Sequence, residues 1–152
     1  MEETETTTAK RECGPCTVCC TVMGVEELKK KNYQRCCYLT ERCSIYEARP
    51  PGCRDWSCNW LLGTLEGDER RRPDQLGLMF TYELKGEKMI LTAYEVWDGA
   101  SQQSDARLLL DKLQQKWPIC LVYTSNMCTI LSPDPVQRAL LKDIVAKHAV
   151  LD

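Results

Sequence analysis

After Leu76 the hydrophobic and polar positions fall into regular periods; before Gly63 they do not. Leu76, Leu78, Phe80, Tyr82 and Leu84 alternate with Gly77, Met79, Thr81 and Glu83, the period of a strand. Lys85-Gly86-Glu87 reads as a turn, and Ile90, Thr92, Tyr94 and Val96 mark one face of a second strand. In SDARLLLDKLQQKW, Ala106, Leu109, Leu110, Leu113 and Trp117 fall at helical spacing, and Pro118 ends the helix. ICLVYT and MCTILS read as two strands joined by a two-residue turn at Ser125-Asn126. That turn pairs Tyr123 with Cys128 and Cys120 with Leu131. It sends the Cys120 and Cys128 side chains to opposite sides of the hairpin, each as a small core hydrophobe. Asp134-Pro135 supplies an N-cap and a first-turn proline for a last helix reaching about Ala149.

Residues 76–152 therefore predict a small β-β-α-β-β-α region, with Trp97 and Trp117 in its core. Residues 63–75 read as a polar connector in which Arg70, Arg71 and Arg72 form a solvated loop. Residues 13–62 are rich in turn formers, with VEELKKKN as one short helix. Residues 1–12 are acidic and polar and predict a disordered tail. The expected fold class is α+β, with a cysteine-rich, metal-stapled N-terminal module packed on the later region.

Charge narrows the partners. With 20 basic and 22 acidic residues, the net charge of -2 gives no general attraction to nucleic acid or to an anionic membrane. No apolar run is long enough to span a bilayer. The N-terminus lacks the apolar stretch of a secretory signal, so a cytoplasmic, bacterial protein is expected.

That expectation changes the meaning of the eleven cysteines. Stable disulfides are disfavoured in the cytoplasm, and an odd number cannot all pair within one chain. Nine of the eleven lie between Cys13 and Cys58, four of them in CGPCTVCC. Cys13, Cys16 and Cys19 form C-x2-C-x2-C, whose first half spans the tight Gly14-Pro15 turn. A helix starting near Cys16 would set Cys16, Cys19 and Cys20 on one face and favour thiolate at its N-terminus. Cys36, Cys37, Cys43, Cys53 and Cys58 complete the constellation. A closed zinc site takes four sulfurs, so two sites take eight, or fewer with bridging. Thiolates around a divalent ion leave negative charge, which Arg49 and Arg54, flanking Cys53, are placed to neutralise. Trp56 and Trp60 are expected to cover the metal region.

CGPCTVCC, CCYLTERCSIYEARPPGCRDWSCNWLLG and RPDQLGLMF together resemble the YkgJ-like cysteine-cluster family, whose members are described as zinc- or iron-chelating domains. The likeness is close over about half of the chain. It implies that Cys13, Cys16, Cys19, Cys20, Cys43, Cys53 and Cys58 ligate metal, with one of Cys36 or Cys37. A flagellin lysine methylase in the family has similar cysteines and an iron–sulfur cluster. It is much longer, and its activity does not carry over.

Zinc is the favoured metal, because the thiol count allows two closed sites. A 4Fe-4S cluster is the alternative, since C-x2-C-x2-C with a remote fourth cysteine also holds such clusters. Other enzyme chemistry finds little support. His148 is the one histidine and sits in the last predicted helix, remote in sequence from the cysteines. No phosphate-binding glycine loop or zincin helix is present, and no strand precedes the first C-x2-C as in a thioredoxin-like motif. The sequence thus predicts a metal-binding protein, with an iron–sulfur enzyme acting on another protein, or a metal-stapled protein-interaction module, as its rivals.

Overall fold

The computed structural model describes residues 13, 15–85 and 87–148, apart from the side chains of residues 69, 85, 147 and 148. The expected N-terminal tail, Gly86, the His148 side chain and the end of the last helix at Ala149 lie outside the described residues. In chain order come α1 (Cys19–Val22), α2 (Pro51–Arg54), α3 (Asn59–Leu62), α4 (Pro73–Leu76), β1 (Leu78–Lys85), β2 (Lys88–Glu95), α5 (Ser104–Gln114), β3 (Ile119–Val122), β4 (Cys128–Leu131) and α6 (Pro135–His148). The mixture of helix and sheet is that of an α+β fold. From β1 onward the order is the β-β-α-β-β-α read from the periodicity.

The strands form one sheet in the order β1-β2-β3-β4. β1 and β2 pair antiparallel, with Phe80 opposite Ala93 and Leu84 opposite Met89. β2 and β3 pair parallel, Leu91 opposite Ile119, and α5 makes the crossover that a parallel pair requires. β3 and β4 pair antiparallel, Ile119 opposite Leu131.

Both faces of the sheet are covered. Leu78, Phe80, Leu91, Ala93, Ile119 and Leu121 form one face, packed by Ala106, Leu109 and Leu110 of α5 with Trp60, Leu65 and Leu76. Met79, Ile90, Tyr94, Cys120, Val122 and Ile130 form the other. Leu141 and Val145 of α6 pack there, and so do Val18 and Val22 from the cysteine-rich segment. That segment is therefore part of a layer on the sheet, with Val22 fully buried.

Several expectations need correction. β1 begins at Leu78, because Leu76 closes α4 and Gly77 is its left-handed cap. A side chain at Gly77 would meet Trp97 and Ala100 at 2.8 Å, so glycine is required there twice over. VEELKKKN forms only a 3-10 turn, Glu26–Leu28, which Lys29 ends in the left-handed region. α1 starts at Cys19, leaving Cys16 outside the helix. Trp97 and Trp117 are exposed, the latter because α5 ends at Gln114, before its last predicted position. Trp60 lies in the sheet core, its indole N–H donating to the Asp68 carbonyl at 3.2 Å. The connector is not uniformly solvated: Leu65 and Arg72 are buried, and Arg72 pairs with Asp74 at 2.5 Å. Asp134 does cap α6, accepting the Val136 N–H at 2.9 Å.

The β3–β4 register also differs. Asn126 takes φ 66° and its N–H bonds the Tyr123 carbonyl at 2.8 Å, giving a three-residue loop, Thr124 to Asn126. Val122 then faces Cys128, and Cys120 faces Ile130. Cys120 and Cys128 consequently share one side of the hairpin instead of opposing each other. Cys120 is buried as expected, whereas Cys128 is exposed on the edge strand. Under native conditions a neutral alkylating reagent should label Cys128 rapidly and Cys120 only on unfolding. Equal labelling rates, read by mass spectrometry, would contradict this packing.

Candidate metal centre

Residues 13–58 are held by turns and by backbone bonds between distant turns. The Cys16 N–H bonds the Cys13 carbonyl at 2.9 Å, closing the first C-x2-C turn. One helical turn follows, carrying Cys19 and Cys20, with Val22 packed on the sheet. Val25 and Lys30 bond each other reciprocally at 2.9 and 3.0 Å. The Cys36 N–H reaches the Cys20 carbonyl at 2.8 Å, which brings the second cysteine group beside the first. Leu39 and Cys43 form an isolated bridge. Pro50-Pro51 opens α2, Cys53 lies within it, and Glu27 accepts the Gly52 N–H at 3.0 Å. Cys58 stands at the start of α3.

Tyr33 ties this region to the sheet. Its N–H bonds the Val22 carbonyl, and its hydroxyl donates to the Glu95 carbonyl at 2.8 Å, with the Val122 carbonyl at 3.3 Å. Burial, and secondarily Glu95, holds the phenol well above its ordinary pKa, so it stays a donor. Tyr33→Phe should cost about 1 kcal/mol of stability in denaturant titration, the usual net value of one such bond. An unchanged midpoint would show that the latch carries no weight.

All eleven cysteines are thiols and none is in a disulfide. Their surroundings make bare thiolates unfavourable at most positions. Burial first, then Cys58, raises Cys13, against the lowering effect of Arg49 and Arg72. Burial pushes Cys16 up to about 11, although the N–H groups of Val18 and Asp74 donate to its sulfur. Cys19 donates a hydrogen bond to Cys20, which raises Cys19 and lowers Cys20 to about 7. Lys30 and Arg49 also favour the Cys20 thiolate. Cys53 is raised by burial, then by Cys20, Cys36, Cys43 and Glu27. Crowded, half-buried thiols of this kind gain most when a cation replaces their protons.

Cys13 lies within electrostatic reach of Cys16, Cys19, Cys20 and Cys58, and Cys53 within reach of Cys20, Cys36 and Cys43. Of the doubled cysteine, Cys36 is buried and bonded to Cys20, while Cys37 is exposed. Arg49 acts on Cys13 and Cys20, and its guanidinium stacks 3.8 Å above the Tyr46 ring. Arg54 is exposed and pairs with Asp55 at 3.4 Å. Trp56, Cys16, Cys19 and Cys58 each pack against the cluster that includes Val18, Val22 and Met79.

The sequence reading missed Lys30. Only 7% of its surface is exposed, and its ammonium donates to the carbonyls of Met23, Thr21 and Lys31. Burial lowers its pKa, opposed by the thiolate charges of Cys36, Cys20, Cys19 and Cys53. Within KKK, nothing in the sequence marks the middle cation as the inward one with respect to its neighbours, except its place opposite Val25 in a tight turn.

Among the described residues, no three His, Cys, Asp or Glu side chains already stand at ion-holding spacing. The donor set still fits a soft metal in its chemistry, being sulfur only, partly desolvated and backed by buried cations. No family model, curated protein or solved structure matches the chain. Among the described residues, no helix is long and apolar enough to cross a membrane.

Proposed function

We propose that this chain is a cytoplasmic, cysteine-ligated metal-binding protein of the YkgJ-like kind, with zinc as its metal and a structural or metal-handling role. One observation carries the reading: Cys13, Cys19 and Cys53 neighbour Cys20, and the Cys36 N–H bonds its carbonyl, with Lys30 and Arg49 supplying positive charge beside them. Cys13, Cys16, Cys19, Cys20, Cys36, Cys43, Cys53 and Cys58 are the holding residues. A bound zinc would supply the charge that keeps these sulfurs deprotonated and would cross-link turns that share little core. Lys30 and Arg49 would offset the net negative charge that four thiolates leave on a divalent ion.

X-ray absorption on anaerobically purified protein tests this. Zinc should show a sulfur-only shell at roughly 2.3 Å. A nitrogen or carboxylate shell overturns all-cysteine ligation. Short iron–iron scattering establishes the second reading, a 4Fe-4S protein, which the same sulfurs support. The reading as a metal-stapled interaction module draws on one surface feature. Tyr82, Leu84 and Met89 form an exposed apolar row beside Trp117, a type of surface that partner proteins cover.

A further inference from the structure

We propose that the outer edge of β1 pairs antiparallel with β1 of a second copy of this chain, about a two-fold axis at Tyr82. The second copy would cover the apolar row at Tyr82, Leu84 and Met89, the feature on which the interaction reading above draws, and its docking does not depend on the metal.

The two edges of the sheet are built differently. β4 is four residues long, and a short edge strand offers little for another chain to pair with. β1 is eight residues long and, among the described residues, has β2 as its one strand neighbour. It matches β2 residue for residue from Leu78 to Lys85, with no bulge to twist the edge away. Its sequence, LMFTYELK, holds no proline, and its charged residues, Glu83 and Lys85, stand among its last three positions. A long apolar edge strand without such protection is a template for another strand.

The side chains indicate which strand fits. On the face that carries Phe80 and Leu91, Tyr82, Leu84 and Met89 are exposed, and Leu84 stands opposite Met89. A shallow cavity of about 50 Å3 runs from Tyr82 between Phe80, Leu91, Leu113 and Trp117. A two-fold axis at Tyr82 sets Tyr82 against the partner's Tyr82, Leu84 opposite the partner's Phe80, and Glu83 opposite the partner's Thr81. This register keeps the apolar row on one face of the joined sheets. Each copy's Leu84 then arrives beside the other's Phe80, one wall of the cavity, with about 5 Å between their Cβ atoms. Moving the axis one residue to Glu83 would set that carboxylate against itself, which is destabilising. The two-fold contact supplies the projecting leucine and the receiving cavity twice, because the same patch serves on both copies.

Sedimentation of the full chain tests this, with the protein reduced and kept without air so that no intermolecular disulfide contributes. The mass should rise with concentration from that of one chain toward that of two. Leu84→Lys should weaken the dimer about tenfold or more, because the interface would bury an unpaired charge. Leu84 is 64% exposed, so the monomer of this variant should keep its fold and its denaturation midpoint. A second readout needs no variant. Hydrogen exchange of the unsubstituted chain at low and high concentration should show protection gained by amides of β1 and not by those of β4. A chain that stays monomeric at every concentration overturns the inference and leaves the row to an unrelated partner. A dimer that Leu84→Lys leaves unchanged overturns it as well, and so does protection gained at β4. Metal content measured on the same samples reports separately: a metal-free dimer fails the metal reading and keeps this one, and a metal-loaded monomer does the reverse.

Discussion

Removing the metal with a strong chelator should loosen residues 24–57 and leave the sheet in place. Across those positions, the buried hydrophobic residues among the described ones are Val25 and Cys36. The regular elements there are 3-10 turns and the four-residue α2, far below the length at which a helix persists alone. What remains is a set of backbone bonds between turns, each contributing little net stability in water. Structural zinc contributes about 10–16 kcal/mol of apparent binding free energy in small zinc-dependent peptides, so its loss would dominate here. The ends of the segment should behave differently, because Val18, Val22 and Trp60 are packed against the sheet. Hydrogen exchange read by mass spectrometry should show the amides of Val25, Lys30, Cys36 and Ser44 losing protection while β1 to β3 keep theirs. Unchanged exchange after verified metal removal would mean that the turns hold themselves.

The later half of the chain was legible because its periods are those of its elements. Ile90, Thr92, Tyr94 and Val96 share one face as their spacing requires, and Ala106, Leu109 and Leu110 are the buried stripe of α5. Alternation marks a face but not how far along it the cover extends. Tyr82 and Leu84 continue the Leu78–Phe80 stripe, yet they lie beyond the covering layer and are exposed. The hairpin register turned on one backbone angle, Asn126 at φ 66°, and one added loop residue moves Cys128 to the face of Cys120. In the first half, cysteine spacing pointed to a metal chemistry, and no period was present to show the path of the chain. The Cys36–Cys20 backbone bond, which places a buried Cys36 beside Cys20 while Cys37 is exposed, is a long-range contact without a local signature. Arg49 was found because it stands near Cys53 in sequence. Lys30 was missed because it meets Cys53 and Cys36 only in the folded chain.

Lys30→Met should weaken metal binding about 10- to 100-fold, the usual effect of removing a group that supports metal ligands from behind. Methionine fills similar space with an unbranched apolar chain, so the substitution chiefly removes a charge and its hydrogen bonds. That charge is shielded from solvent, which makes it worth more to nearby thiolates than a surface lysine would be and less sensitive to salt. Its loss leaves the thiolates of Cys20, Cys36 and Cys53 uncompensated on one side. It also leaves the Met23, Thr21 and Lys31 carbonyls without their ammonium donor, a cost of about 1–3 kcal/mol in folding stability. The two effects separate experimentally. Competition with a chromophoric chelator reads the affinity, and denaturant titration of the metal-free protein reads the stability. Arg49→Met provides the comparison: its guanidinium rests on the Tyr46 ring near the surface, so its affinity loss should be smaller and should fade with salt. If Lys30→Met lowers stability but leaves the metal affinity unchanged, Lys30 is a staple for three carbonyls and not a counter-charge for the sulfurs.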